Sequence, residues 1–178
     1  MTASGDVLRV RIAETARLRL RRLDIRDAAF MFELVNDRSW IDNIGERNVR
    51  TLEDARRYIE DTAIAMYERL GFGLYAVGLM ETGEAIGICG LVKREGLDDV
   101  DLGFAFLPRF WGAGYALEAS RAVLSHATET LGCRRVVAIV SRHNSRSIRL
   151  LDKLGFRFQR MVALKPGGEP LELHAWEN

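Results

Sequence analysis

The residues with the clearest chemical potential form a basic turn with two glycines, Arg109-Phe-Trp-Gly-Ala-Gly114. The turn follows an apolar run at 102–107 and precedes a segment whose apolar residues recur at helical spacing. A strand, a tight turn and a helix N-terminus are therefore predicted. The glycines let the backbone approach a ligand closely, and the first N–H groups of a helix are free to bind an anion. The sequence thus predicts a phosphate or pyrophosphate site here.

The spacing of this turn differs from that of two common phosphate-binding loops. A Walker loop ends in Gly-Lys-Ser/Thr, whereas Tyr115 and Ala116 follow Gly114 here. A dinucleotide-binding turn carries a third glycine, but Leu117 stands at that position, and the next predicted strand, 135–140, has no carboxylate. Both alternatives are therefore disfavoured. The residues of the turn by themselves leave open a third interpretation, a strand-to-helix turn that binds no ligand.

The turn resembles the acyl-CoA loop of the GCN5-related N-acetyltransferase (GNAT) superfamily, written Arg/Gln-x-x-Gly-x-Gly/Ala. The resemblance extends from about Thr15 to Phe158, and within the superfamily the chain is similar to the RimJ/RimL-like branch of ribosomal-protein N-terminal acetyltransferases. Four motifs in the family order carry it: Thr15-Ala-Arg-Leu-Arg-Leu-Arg-Arg-Leu23, Thr82-Gly-Glu-Ala-Ile-Gly-Ile-Cys-Gly-Leu91, Phe104-Ala-Phe-Leu-Pro-Arg-Phe-Trp-Gly-Ala-Gly-Tyr-Ala-Leu-Glu-Ala119 and Asn144-Ser-Arg-Ser-Ile-Arg-Leu-Leu-Asp-Lys-Leu-Gly-Phe156.

The predicted elements run strand, two helices, three strands, helix, strand, helix and two strands, which indicates a mixed α/β sheet. The resemblance implies the same order, with a mostly antiparallel sheet of about seven strands flanked by about four helices. The length of 178 residues suits a single domain over residues 1–178. We expect residues 1–12 to be mobile and 40–50 to form a loop. Strands are predicted at 17–23, 72–80, 85–92, 100–107, 135–140, 156–162 and 171–175, and helices at 28–35, 52–70, 116–131 and 145–154.

The resemblance implies acetyl-CoA as the cofactor and no metal. Backbone N–H groups from Trp111 to Tyr115 would hold the pyrophosphate, with Arg109 supplying positive charge nearby. The pantetheine arm would run beside the strand at 100–107, where an N–H near Phe104 or Ala105 would serve as the oxyanion donor. The cofactor-binding set expected in this way is Phe104, Ala105, Phe106, Leu107, Arg109, Trp111, Gly112, Ala113, Gly114, Tyr115, Ala116, Asn144, Ser147 and Arg149.

Transfer to an amine also needs groups that handle protons. Asp99 and Asp101 lie two residues apart at the start of one predicted strand, so they share a face and either could accept the amine proton through water. The alternative is that Asp99 and Asp101 have no catalytic role, because exposed acids before a strand are commonplace. Many family members place a tyrosine acid where Leu151 stands, and in the RimJ/RimL-like branch a serine, here Ser147, can protonate the leaving thiolate. Asn144 resembles the cofactor-contacting asparagine, although helix capping would explain Asn144 and Ser147 as well.

The resemblance places the amine acceptor near the loop at 40–50. Trp40, Asp42 and Glu46 combine an aromatic ring with acids, which suits a cationic amine; a core tryptophan in an ordinary loop is the alternative. We expect direct transfer from acetyl-CoA to a primary amine in a ternary complex, because no cysteine is placed for an acyl-enzyme. The acceptor is a protein or peptide α-amine or a small molecule such as a polyamine, antibiotic or amino acid. A non-catalytic acyl-CoA sensor is the other reading.

Charge and cysteine usage bound the partners. Lys plus Arg number 26 against 25 Asp plus Glu, so neither nucleic acid nor a membrane is expected to bind, and the arginines at 17–22 are read as a solvated strand face. No leader or membrane span is recognised. Cys89 and Cys133 are scattered, which predicts buried thiols in a reducing cytoplasm rather than a disulfide. His126, His143 and His174 share no metal-ligand spacing. We expect a monomer or homodimer.

Overall fold

The structure is a computed structural model that describes residues 10–178. Its strands are β1 (Arg11–Glu14), β2 (Leu18–Arg22), β3 (Leu74–Leu79), β4 (Ala85–Val92), β5 (Val100–Phe106), β6 (Arg135–Val140), β7 (Arg157–Val162) and β8 (Leu171–Glu177). Its α-helices are α1 (Ala28–Asn36), α2 (Arg38–Asn43), α3 (Leu52–Ile59), α4 (Ala65–Leu70), α5 (Tyr115–Glu129) and α6 (Ser145–Leu154). The described strands form one sheet in the order β1-β2-β3-β4-β5-β6-β8-β7.

The sheet opens in its middle, between β5 and β6. These two neighbours run parallel and every other pair runs antiparallel. Only Val100 and Asp101 of β5 pair with β6, whereas pairing with β4 continues as far as Phe106. Beyond Asp101, β5 therefore keeps its partner on one side and loses it on the other. The backbone of 102–106 borders a gap that leads toward the predicted phosphate turn.

Helix α5 packs across the strands before this gap because one of its faces carries small residues. Ala119, Val123 and Ala127 recur at a spacing of four and are fully buried. The Ser120 hydroxyl on the same helix lies 3.6 Å from the buried Cys89 sulfur of β4. This close packing fixes the position of the α5 N-terminus relative to β4 and β5.

The helical segment predicted at 52–70 begins where the sequence predicts, after Thr51. The Thr51 hydroxyl accepts the Asp54 N–H (3.0 Å), and the Asp54 carboxylate accepts the Thr51 N–H (2.9 Å), which together form a capping box. The segment 52–70 is not a continuous α-helix, since a π-helical stretch at Glu60–Ile64 separates α3 from α4. Hydrophobic spacing alone gives no sign of that interruption.

The predicted mixed, mostly antiparallel fold is confirmed, with one strand more than expected. The additional strand is β1, so the expectation of a mobile start does not hold for residues 11 and 12; for 1–9 it lies outside the described residues. β1 has only four residues and no fully buried position, which explains its weak pattern. Helix α2 replaces the first part of the predicted loop at 40–50, because the Asp37 carboxylate caps it by accepting the Ser39 N–H (2.8 Å).

Candidate active site

The predicted phosphate turn joins β5 to α5 through a short 3₁₀ segment, Pro108–Phe110. Gly112 and Gly114 have φ values of 82° and 83°, a conformation that favours glycine. Gly114 is the N-cap of α5 and makes no side-chain cap. Among the described residues nothing accepts a hydrogen bond from the N–H groups of 112–117; the Glu118 N–H is the first to be used, by the Gly114 carbonyl (3.0 Å). Free N–H groups at the start of a helix are of the kind that favours an anion.

Two members of the predicted cofactor set differ from expectation. The Trp111 N–H donates to the Pro108 carbonyl (3.1 Å), so it is excluded from the free N–H groups. The Arg109 guanidinium hydrogen-bonds Glu33 and lies 3.4 Å from a Glu84 oxygen. The hydrogen bond to Glu33 raises the pKa of Arg109 above its usual value. Because two carboxylates already offset its charge, Arg109 is not a free cation beside the turn.

Trp111 instead connects three parts of the site through its side chain. Its indole N–H donates to the Phe106 carbonyl at the end of β5 (2.8 Å). The Arg146 guanidinium of α6 lies 4.0 Å from the centre of its ring, a cation–π contact. Leu107, at the start of the turn, is buried. The end of β5, the phosphate turn and the first turn of α6 are thus joined around one indole ring.

The register of β5 decides which of its N–H groups faces the gap. The Leu107 N–H donates to the Ile86 carbonyl of β4 (3.0 Å). Hydrogen-bonded pairs alternate along an antiparallel ladder, so Ala105, which lies opposite Ile88, also faces β4. The N–H of Phe104 faces the other way, toward β6, whose pairing ends before it. Of the two predicted oxyanion donors, Phe104 is the one whose N–H borders the gap.

The two predicted proton acceptors are both already paired. Asp101 is 1% exposed; its carboxylate binds the Arg94 guanidinium (2.5 Å) and accepts the Ile139 N–H of β6 (3.1 Å). Burial raises the pKa of Asp101, and the charge of Arg94 opposes that rise. Asp99 lies 3.1 Å from the Arg135 guanidinium. Asp101 therefore fills the fork where β5 leaves β6, and the shared, open acid pair that we expected is not formed.

The first turn of α6 lies after the end of β6. The Asn144 side-chain oxygen accepts the Ser147 N–H (3.1 Å), which confirms Asn144 as a helix cap. The half-buried Ser147 hydroxyl has no hydrogen-bond partner within residues 10–178. Leu151 is a core residue, 1% exposed. Arg149 is exposed. The cap thus uses only the backbone N–H of Ser147 and leaves its hydroxyl unpaired among the described residues.

The three predicted acceptor residues do not form an open acidic pocket. Trp40 is 4% exposed and belongs to the main core, where its indole N–H finds no acceptor in the described part of the chain. The Asp42 carboxylate pairs with Arg38 (2.9 Å), and Glu46 pairs with Arg50. The core-tryptophan alternative therefore describes Trp40 better, because both neighbouring acids are exposed and each pairs with an arginine four positions away.

Two arginines that the sequence analysis leaves outside the site contact it. Arg94 pairs with Asp101, seven positions along the chain. Arg17, expected on an outward strand face, donates to the Ala113 carbonyl of the phosphate turn (2.9 Å) across 96 positions. No local spacing could reveal the second contact, because it depends on how β2 and α5 meet.

Other classes of site lack support in residues 10–178. No group of three or more His, Cys, Asp or Glu side chains among them could hold a metal ion. Nor does any helix in that range have the length and apolarity that a bilayer crossing requires.

Comparison with known proteins gives the family. A protein-family model described as "Acetyltransferase (GNAT) domain" matches residues 17–157. The chain belongs to the GNAT acetyltransferase family. It is 30% identical over 147 residues to the uncharacterised N-acetyltransferase YoaA of Bacillus subtilis, with 82% of each chain covered. Both the predicted superfamily and the predicted activity of an acyl-CoA-dependent N-acetyltransferase are confirmed.

Two further similarities bear on the branch and the acceptor. RimL, a ribosomal-protein α-N-acetyltransferase solved in complex with coenzyme A, superposes with a TM-score of 0.80 at 18% identity, covering 94% of this chain and 97% of that one. At that identity the likeness shows a shared fold. A spermine/spermidine N(1)-acetyltransferase of Bacillus subtilis is 28% identical over 110 residues, covering 57% of this chain and 72% of the relative. By their descriptions, these two proteins acetylate different amines.

Proposed function

We propose that this protein binds acetyl-CoA along the gap and phosphate turn and transfers the acetyl group directly to an amine in a ternary complex. The observation that carries the proposal is the row of free N–H groups at 112–117, which continues the open edge of β5. Those groups fit a pyrophosphate, because they present several donors and the positive end of a helix to one anion. When bound, acetyl-CoA supplies an activated acetyl thioester.

The open edge of β5 supports the carbonyl chemistry. The Phe104 N–H faces the gap and is free of β6, so it can donate to the thioester oxygen as negative charge develops there. Because this donor belongs to a strand held by β4 on its other side, it is already oriented before substrate arrives. Backbone groups therefore perform both the binding of phosphate and the stabilisation of charge.

We assign the protonation of the leaving thiolate to Ser147. Its hydroxyl has no partner within the described residues, and the Asn144 cap holds the helix turn from which it projects. The alternative family position is the buried Leu151, which has no proton to give. The first turn of this helix has one other hydroxyl, that of Ser145, which is exposed to solvent, whereas Ser147 is half-buried.

The acceptor that we propose is the α-amine of a peptide or protein. Asp99 and Asp101 are both held by arginines, so the chain offers no strong side-chain base at this strand. An α-amine has a pKa near ~8, whereas that of a lysine is near ~10.4, so the α-amine loses its proton to water far more readily. The polyamine relative supports a small amine as the second candidate.

Charge and cysteine state support the remaining assignments. The balance of 26 basic to 25 acidic residues supports a protein or small-molecule partner rather than nucleic acid. Cys89 and Cys133 are free thiols, which supports a cytoplasmic location. We propose a monomer or a homodimer.

The test is thiol release from acetyl-CoA with three acceptors: a peptide with a free N-terminus, the same peptide N-blocked but carrying lysine, and spermidine. We expect the first to be acetylated fastest. Activity on spermidine or on the lysine peptide, with none on the free N-terminus, would contradict the acceptor assignment. CoA binding without thiol release from any amine would instead support the sensor.

A further inference from the structure

Arg17 contacts the phosphate turn from the side opposite its free N–H groups. Its Nη1 donates to the Ala113 carbonyl (2.9 Å), and its guanidinium lies 4.6 Å from the centre of the Tyr115 ring. A side-chain carbon at Gly114 would stand 3.5 Å from Arg17 Nη2, so the guanidinium closes that side of the turn. One side chain from the link between β1 and β2 thus contacts Ala113 of the turn and Tyr115 of α5, and it lies beside Gly114.

Glu118 of α5 fixes this arginine in place. One carboxylate oxygen of Glu118 accepts from Arg17 Nε (2.7 Å), and the other accepts from the Arg17 N–H (3.1 Å) and the Thr15 hydroxyl (2.6 Å). Burial would raise the pKa of Glu118, but the hydrogen bonds from Thr15 and Arg17 outweigh it and lower that pKa. The carboxylate therefore stays charged, and it ties the guanidinium and the backbone of residue 17 to the first turn of α5.

The geometry of a peptide bond gives this contact a consequence for the turn. The Ala113 carbonyl and the Gly114 N–H belong to one planar peptide unit and point in opposite directions. Holding the carbonyl against Arg17 directs the Gly114 N–H away from Arg17, to the side of the free N–H groups. Because residue 114 is a glycine, which adopts either sign of φ readily, the turn has little intrinsic preference against the flipped orientation, in which a carbonyl would face the anion.

We propose that Arg17 is a positioning residue that fixes the 113–114 peptide in its anion-binding orientation. The proposal rests on the proposed binding of acetyl-CoA at this turn. Arg17 does so as one half of a neutral pair with Glu118, not as a free charge for the phosphates. Losing either member should therefore weaken CoA binding, even though the two losses change the local charge in opposite directions.

Calorimetry with CoA tests the arginine first. We expect Arg17→Met to lower CoA affinity by ~10-fold or more, the range of a hydrogen bond to a charged group. Arg19→Met is the matched control, because Arg19 on the adjacent strand is similarly exposed but pairs with Glu14 and makes no hydrogen bond to the turn among the described residues. Should Arg17→Met fail to fold, Arg17→Lys replaces it. A smaller loss is then expected, because the ammonium keeps the charge and can bind either Ala113 or Glu118 but lacks the fork that binds both. Wild-type affinity in a folded variant would overturn the proposal.

The sign of the Glu118→Gln effect separates positioning from charge. Positioning predicts weaker CoA binding, whereas an Arg17 that acted as a phosphate counter-charge would bind CoA more tightly once Glu118 is neutral. Acetyl-pantetheine, which lacks the pyrophosphate, gives a second readout: kcat/KM with this donor should be unchanged in both variants. An equal loss with both donors would show a general structural defect and overturn the proposal. If the wild-type protein does not bind CoA at all, the proposed function itself fails.

Discussion

The two halves of the candidate site differ in which polar groups are left without a hydrogen-bond partner. The donor half consists of the N–H groups of 112–117 and the edge of β5 at Phe104. The acceptor half consists of Trp40, Asp42 and Glu46. The donor half offers free backbone donors. In the acceptor half the two carboxylates are held by Arg38 and Arg50. The turn of the donor half owes its conformation to its own glycines, whereas a site made of side chains depends on which partners the fold brings to them.

The strongest way to break this comparison is to block the backbone of the donor half. A side chain at Gly112 would meet no protein atom within 4 Å, so valine there would occupy the open space beside the free N–H groups. We expect Gly112→Val to lower CoA affinity by about two orders of magnitude or more, since the anion must contact the backbone directly. Calorimetry with CoA measures it.

Gly132, just beyond the other end of α5, is the matched control. It also has positive φ (69°) and open space around it. Gly132→Val should carry the same backbone cost, about 1–2 kcal/mol, while leaving CoA affinity unchanged. Equal CoA affinity in folded Gly112→Val protein would remove the phosphate role of the turn.

The next prediction separates chemistry from binding at α6. Ser147→Ala should lower kcat by ~10²–10⁴-fold if the hydroxyl is the general acid, with the affinity for acetyl-CoA near wild type. The helix cap should survive, because Asn144 accepts from the backbone N–H of residue 147. Single-turnover kinetics measure the chemical step.

Ser145→Ala is the control in the same helix turn, since Ser145 is exposed and its N–H, not its hydroxyl, carries the recorded hydrogen bond to His143. An unchanged chemical step in Ser147→Ala would return Ser147 to a purely structural position.

What could be read from sequence follows the same division. The turn, the Asn144 cap and the start of the helix at residue 52 are set within a few residues, and the sequence predicts each of them. The pairing of Asp101 with Arg94 and Ile139 was not, because a strand position alone shows neither burial nor a fork between strands. Register was also needed to choose Phe104 over Ala105, since an N–H direction depends on the neighbouring strand.

The fork itself provides a third prediction, on stability. Asp101→Asn removes the charge that binds the Arg94 guanidinium and the Ile139 N–H, so we expect the free energy of unfolding to fall by about 1–3 kcal/mol. Asp99→Asn should cost less than about 1 kcal/mol, because its partner Arg135 is a surface residue. Urea unfolding compares the two. A stable Asp101→Asn protein that has lost only turnover would contradict the structural role and restore Asp101 as a proton acceptor.

The smallest effect is expected in the acceptor half, where the comparison depends on ion pairs of the free protein. Asp42 and Glu46 are solvent-exposed and each pairs with an arginine four positions away, an arrangement that contributes little energy. If neither contacts the amine, Asp42→Asn and Glu46→Gln should change the acceptor KM by less than about twofold, the size of a lost surface pair. The measurement is acceptor KM at saturating acetyl-CoA, with Glu53→Gln as control because Glu53 forms a similar exposed pair with Arg56 on α3.

A rise of tenfold or more in KM for a cationic acceptor, in either variant but not in the control, would mean that the carboxylate leaves its arginine to bind substrate. In that case the acceptor half would be assembled by the amine itself, and pairing in the free protein would no longer distinguish it from the donor half.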